Sequence, residues 1–459
     1  MSDLWTSLNN PDDQQQTTTT PPARAARTRS AAASERAIIS SLREWLLQDY
    51  AAAYCRSLAA MRIFRRCYWI DALGIGTTRS VPTATPPGAI AELNNHAASD
   101  EAGTGATEEP GNKRGRKKNG EQAIPPALQP IVNLSQQLQQ ESRPITLYGL
   151  IFEAGSSRRR KKRTTAQRVT LPRESALLPT SWLEAGSALL QELEHAPAIF
   201  LLNPFGAATF TCDDLAPLYQ RTVPTELCLF VAHKQVETLL RSARRNAQNA
   251  AILTGLARSD RWKSLPLTEE DMRPAVDGWL DLFISAMQRH FLLPVQRIEL
   301  ALQAGRARIE NVPYTLIFAT RRQDSFASMN DAVYRYRQRL QEQSRYGVLA
   351  EDWFTAQEQE RHREALQQLQ QHILQQGRAQ RIRRWPDLRQ IALAASFGQF
   401  LLQDYDLLIR RLLLAGEVRC EWRQSPPAAE EERIPGNDDT LIWSTGSRQR
   451  YTHPLRRGR

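Results

Sequence analysis

Ile199-Phe200-Leu201-Leu202-Asn203-Pro204-Phe205-Gly206 decides the fold. An apolar run stops at Asn-Pro-aromatic-Gly. A buried parallel strand hands its chain to a loop in this way, at the carboxyl end where open α/β sheets bind ligands. Working outward, the same signature recurs on both sides. Cys67-Tyr68-Trp69-Ile70-Asp71 is short, aromatic and β-branched, and ends at an acid before the glycine-containing turn Ala72 to Thr78. Ile145 to Phe152 is a second such run and ends at Glu153. Val169-Thr170-Leu171 offers a short third strand. Glu226 to Ala232, Arg297 to Leu302 and Tyr314 to Thr320 read as later strands.

Helical spacing fills the gaps. Ser34 offers an N-cap, and Ile38, Ile39, Leu42, Trp45, Leu46 and Tyr50 share one face of a helix that runs on through Leu58 and Met61. Leu128 to Leu138, Trp182 to Leu193, Asp214 to Tyr219, Val236 to Ala250, Met272 to Phe291 and Met329 to Gln343 follow the same period. Strands alternating with helices predict a mostly parallel sheet with helices on both faces, a Rossmann-like α/β domain over 35–345.

Three segments lie outside that pattern. Residues 1–34 are rich in Gln, Thr, Pro and Ala and read as a disordered tail. Residues 79–125 are rich in Pro, Gly, Thr and Glu and read as a disordered insertion. Residues 346–447 change character. A Gln-rich helix (Gln357 to Gln375) precedes helices over Leu388 to Phe397 and Gln399 to Ala415. Strand-like runs at 416–422 and 440–443 follow. Helix, helix, strand, loop, strand is the order of a winged helix. Residues 448–459 form a basic tail.

Charge points to an acidic partner. The chain has 459 residues, a net charge of +11 and a pI near 9.7. Nucleic acid is the obvious candidate. Arg158-Arg159-Arg160-Lys161-Lys162-Arg163 is the longest cation run and could grip phosphates, as could Trp385 with Arg381, Arg383 and Arg384. Solvated loop charge is the competing reading of both. Within the winged helix, Gln399 to Arg411 would face a groove, or would serve packing instead. Five scattered cysteines without a CxxC, and histidines without HxxxH or HExxH spacing, predict free thiols and no metal. No run reaches the roughly 18 apolar residues of a membrane span. The N-terminus lacks a secretory pattern, so a cytoplasmic protein is expected.

The strand ends carry the chemistry. A mononucleotide-binding domain needs a glycine turn after its first strand, so that backbone can approach the ligand, and an acid after the next strand for the ribose hydroxyls. Asp71 with Gly74 and Gly76 fits the first need, and Glu153 the second. Ordinary strand ends also look like this. Asn203, Pro204 and Phe205 then occupy the catalytic position. An amide oxygen and the Pro204 carbonyl could accept the two N–H bonds of an amine, and Phe205 could stack on a flipped or single-stranded base. Such a site would position an amine in line with a methyl donor, and positioning supplies most of the rate. A turn built by Asn-Pro, with Phe205 in the core, is the competing reading.

In order along the chain, Tyr68-Trp69-Ile70-Asp71-Ala72-Leu73-Gly74, Phe152-Glu153, Phe200 to Gly206, Leu253-Thr254-Gly255 with Asp260-Arg261-Trp262, Tyr314 to Thr320 and Met329-Asn330-Asp331 resemble landmarks of the three-Cys-motif partner proteins. The resemblance spans roughly 36–345 without the insertion. It implies a class I methyltransferase fold, S-adenosylmethionine as cofactor, and a second protein with a three-cysteine motif as partner. This sequence departs from the family at Asn203, where the family has an acid, and at Ile75 and Thr77, where it has glycines. The resemblance therefore implies either an S-adenosylmethionine-dependent methyltransferase acting on an amino group, of nucleic acid by the charge argument, or a catalytically inactive relative serving as a nucleic-acid-binding or scaffold protein.

Overall fold

Seven strands pair into one sheet in the order β3-β2-β1-β4-β5-β7-β6. They are β1 (Arg66–Ala72), β2 (Thr146–Phe152), β3 (Ala176–Leu178), β4 (Ala198–Leu202), β5 (Thr225–Ala232), β6 (Gln296–Leu300) and β7 (Tyr314–Ala319). A computed structural model of the protein describes residues 35–73, 124–152, 174–206, 208–266, 271–300, 314–345, 351–423 and 433–444. Gly74, Gly76, Glu153 and the run Arg158 to Arg163 lie outside them. So do the expected tails 1–34 and 448–459, the insertion as far as residue 123, and the strand expected at Val169-Thr170-Leu171.

β1 pairs in parallel with β2 and β4, β2 with β3, and β4 with β5. β7 runs antiparallel between β5 and β6. Every residue of β4 and β5 is buried, as expected for strands covered on both faces. Side chains alternate between two apolar layers. Trp69, Ile199, Leu201 and Phe230 enter one, and Ile70, Phe200, Leu202 and Leu229 enter the other.

The first layer is closed by α1 (35–60), α2 (Gln129–Gln139) and α8 (Gln323–Arg345). A π-helical turn, Leu46–Ala51, interrupts α1. Gly149 of β2 lets α2 approach closely, since a Cβ there would stand 2.6 Å from Ile131 Cδ1. The second layer is closed by α3 (Trp182–Glu192), α4 (Cys212–Gln220), α5 (His233–Ala243), α6 (Ala247–Ala257) and α7 (Arg273–Gln288). The single helix expected over Val236 to Ala250 is two. The Asn246 side chain accepts the N–H groups of Gln248 (2.8 Å) and Asn249 (3.3 Å), which caps a new helix start.

The C-terminal region contains α9 (Glu351–Gln380), α10 (Trp385–Ala395), α11 (Leu402–Leu414) and an antiparallel hairpin, β8 (Val418–Glu421) with β9 (Thr440–Trp443). The chain between α9 and α10 lies beside β9: Leu441 N–H donates to the Arg383 carbonyl (2.7 Å), and Trp443 Nε1 to that of Ile382 (2.7 Å). This region docks on α8. Asn330 Nδ2 donates to the Phe400 carbonyl (2.8 Å), and the Asn330 oxygen accepts Gly398 N–H (2.8 Å). Its apolar residues continue the layer under α1 and α8, so one core serves both regions. Trp385 is fully buried and donates to Asp406 Oδ1 (2.9 Å), which corrects the expectation that it joins its arginine neighbours in a phosphate grip. Among the described residues no helix is long and apolar enough to cross a membrane.

Candidate functional site

Strand order reverses between β1 and β4, and a ligand crevice is expected outside the carboxyl ends of those two strands. Asp71 and Asn203 stand there. Asp71 pairs in register with Leu201, and Ala72 with Leu202, so the acid and the amide end adjacent strands.

Asp71 is buried and held by α1. Arg43 Nε meets Oδ2 at 2.5 Å and Nη2 meets Oδ1 at 3.0 Å, a two-pronged pair. Oδ1 also accepts Leu73 N–H at 3.3 Å, which fixes the first step of the chain beyond β1. The Arg43 side chain is 26% exposed, so its guanidinium borders solvent. Beside it a cleft of about 740 Å³ runs between α1 and α2, lined by Trp69, Ile151, Gln48, Asn133, Arg43 and Asp71. That volume suits a ligand of nucleotide size.

Asn203 is buried and shapes its own turn. Its side-chain oxygen accepts Phe205 N–H at 3.0 Å, an Asx-turn. The Pro204 carbonyl accepts Phe210 N–H at 2.8 Å. Gly206 closes the turn, where a Cβ would crowd Asn203 Nδ2 at 3.2 Å. Phe205 is 3% exposed and packs edge-on against Trp279 (5.3 Å) and Phe283 (6.0 Å). The ring expected to stack on a base thus belongs to the apolar layer under α7. Phe205→Leu is expected to cost about 1–2 kcal/mol through lost aromatic packing, with ligand binding in the cleft unchanged. Thermal unfolding beside a ligand titration checks both parts.

Asp71 and Asn203 end neighbouring strands, but Asn203 does not line the cleft beside Asp71, and sequence reasoning missed other residues of this end of the sheet. Arg43 is one. Its only signal was a cation beside Leu42, on the margin of an apolar helical stripe. His233 is another, directly after β5 but outside the cleft, with Nε2 2.7 Å from Thr315 Oγ1 of β7. Burial, then the nearby Arg297, holds its pKa below the usual histidine value. Its signal was position alone, the first polar residue after a buried run. At the same edge Gln235 Nε2 donates to Glu35 Oε1 (3.4 Å), and burial pushes Tyr314 up to about 12. Among the described residues no group of three or more His, Cys, Asp or Glu side chains could hold a metal ion.

In comparisons with protein-family models, curated proteins and solved structures, nothing matches this chain.

Proposed function

We propose that this chain binds S-adenosylmethionine and transfers its methyl group to an amino group, as a divergent relative of the three-Cys-motif partner proteins. The observation that carries the reading is that Asp71 and Asn203 end neighbouring strands where the strand order reverses. Supporting it, a doubly wound sheet with an antiparallel β7 between β5 and β6 is the strand order of a class I methyltransferase fold.

The cleft beside Asp71 fits the cofactor in size and chemistry. Arg43 Nη1, the guanidinium nitrogen not bonded to Asp71, could take a carboxylate, and Trp69 and Ile151 supply apolar wall. When bound, the cofactor supplies an activated methyl. The chain's own part is to orient: Arg43 and Asp71 fix the cleft floor. The net charge of +11 favours nucleic acid as the substrate. The C-terminal helices and hairpin, with β9 bonded to the chain before α10, fit a winged-helix arrangement.

Isothermal titration with S-adenosylmethionine is the test. Saturable heat in the micromolar range is expected, weakened at least about tenfold in Arg43→Lys, where the planar fork is lost. No heat at high micromolar ligand defeats the reading. A second reading, a catalytically inactive nucleic-acid-binding or scaffold protein, is favoured by one observation. The Asn203 oxygen and the Pro204 carbonyl already hold their own turn, and Phe205 is core. No binding of S-adenosylmethionine together with salt-dependent binding of nucleic acid would select it.

A further inference from the structure

The edge of the sheet opposite the cleft carries a row of arginines. Chain enters the sheet there through the α1–β1, α2–β2, α3–β4, α4–β5 and α7–β6 connections, and leaves it from β7 towards α8. All of these connections but α3–β4, which carries Glu194 and His195, bring arginine, and none brings lysine. Arg62, Arg65, Arg66, Arg143 and Arg289 are exposed there, and among the described residues none of them has a carboxylate at ion-pair distance.

Two more cations add charge without compensation. Arg321 donates to the carbonyls of Tyr219, Arg221 (3.1 Å) and His290 (3.3 Å). Arg221 donates to those of Leu193 (3.1 Å) and Ala196 (2.6 Å). Burial lowers Arg221 to about 10, so it stays charged at neutral pH. Of the acids nearby, Glu141 is held by Arg56 (2.9 Å), Asp324 by Arg322, and Glu226 lies deep in the core, which leaves the exposed Glu194 before β4 as one negative group against the cations of the row.

We propose that this amino-terminal edge is a docking surface for the phosphate backbone of double-stranded nucleic acid. From β2 to β6 the row crosses five strand spacings, about 24 Å, enough to face about seven base pairs of duplex. Guanidinium forks match phosphate oxygens two by two. No exposed aromatic ring interrupts the row, so it reads backbone rather than unstacked bases. A lipid surface fits less well. The exposed apolar side chains Ile63 and Leu292 precede β1 and β6, four places apart in the sheet, so they form no continuous face to sink into a bilayer.

Arg62 carries a second mark. It closes α1 with φ +61°, a left-handed conformation that glycine adopts without strain. Arginine there forgoes local stability while offering a cation at the tip of the connection. The surface is independent of the methyl-transfer reading, because it lies at the other edge and needs no cofactor.

The test is fluorescence anisotropy with a 24-base-pair DNA duplex and its RNA counterpart, on the full chain without cofactor. Arg62→Gly, Arg65→Ser, Arg66→Ser and Arg143→Ser are combined. Binding is expected to weaken at least about tenfold, and the slope of log K against log salt to fall by about 3. The melting temperature should hold, because Arg62→Gly relieves strain and the other three side chains are exposed. A parallel variant with the run at 158–163 replaced by serine should keep most of the affinity. The proposal is overturned if the rim variant keeps both affinity and salt slope. It is equally overturned if the rim variant loses binding to phosphatidylserine vesicles while duplex affinity stands. Failure of the cofactor titration leaves these outcomes untouched.

Discussion

Glu226→Gln is expected to stabilise the protein by about 2–3 kcal/mol at pH 8 and to leave it nearly unchanged at pH 4.5. Glu226 is the second residue of β5 and has no exposed surface. Its Oε2 accepts the Tyr50 hydroxyl (2.7 Å) and its Oε1 that of Thr320 (3.1 Å). Burial pushes its pKa from 4.5 to about 7, against the pull of those hydrogen bonds. Below pH 4.5 the carboxyl is protonated in folded and unfolded chains alike, and the pKa shift costs nothing. Between pH 4.5 and 7 the unfolded chain ionises first, so folding stability falls as pH rises. Above pH 7 both forms are charged and the loss levels off at about 3.5 kcal/mol, from about 1.4 kcal/mol per pKa unit. Glutamine keeps an oxygen for Tyr50 and puts an amide donor beside Thr320, without the buried charge. Chemical denaturation from pH 4.5 to 8 measures the difference between the two proteins. A difference that does not grow across that window would show that Glu226 titrates normally.

Arg43→Met is expected to cost about 3 kcal/mol, the lower end of the range for stripping the partner from a buried charge. The lower end applies because Arg43 is partly solvated while Asp71 is 1% exposed. The loss is not the strength of the pair; it is the cost of leaving Asp71 desolvated and alone. Adding Asp71→Asn should therefore recover most of it, since the double variant buries no charge. Asp71→Asn in the parent should cost less than Arg43→Met, because the exposed side of the guanidinium can turn to water. The cycle of four proteins is measured by urea unfolding. If the double variant is no more stable than Arg43→Met, the pair is not what holds α1 against the end of β1.

The sheet was largely legible because its strands are buried on both faces. Runs such as 199–202 and 226–232 are short, apolar and bounded by turn residues, a pattern that hardly depends on distant contacts. β3 was not legible. Ala176–Leu178 is three residues long and only half-buried, too short to show a period, and Val169-Thr170-Leu171 drew the expectation instead. The antiparallel setting of β7 was equally hidden, since an apolar strand reads the same in either direction. The helix break at Asn246 was missed because an apolar period ran through it, although the cap residue stood in plain view.

The site divides in the same way. Asp71 and Asn203 were found by position, as the first polar residues after buried runs. What each does was not, because the partner lies far along the chain. Arg43 is 28 residues from Asp71, and Trp279 and Phe283, which bury Phe205, come from another helix. Spacing along one strand carries no information about such meetings. The arginine edge was invisible for a related reason: its members are spread over five connections and gather only once strand order is known.

The pairing of β1 with β2 also says how much chain the fold tolerates between neighbours. Fifty residues, 74–123, separate Leu73 from Ile124, where six would serve as an ordinary connector. Loop-closure entropy grows only with the logarithm of length, about 0.6 kcal/mol per doubling. Three doublings lead from six residues to roughly fifty, so by length alone closing the longer connection costs only about 2 kcal/mol more. Length at this point is nearly neutral for stability, and sequence can accumulate there without disturbing the sheet it interrupts.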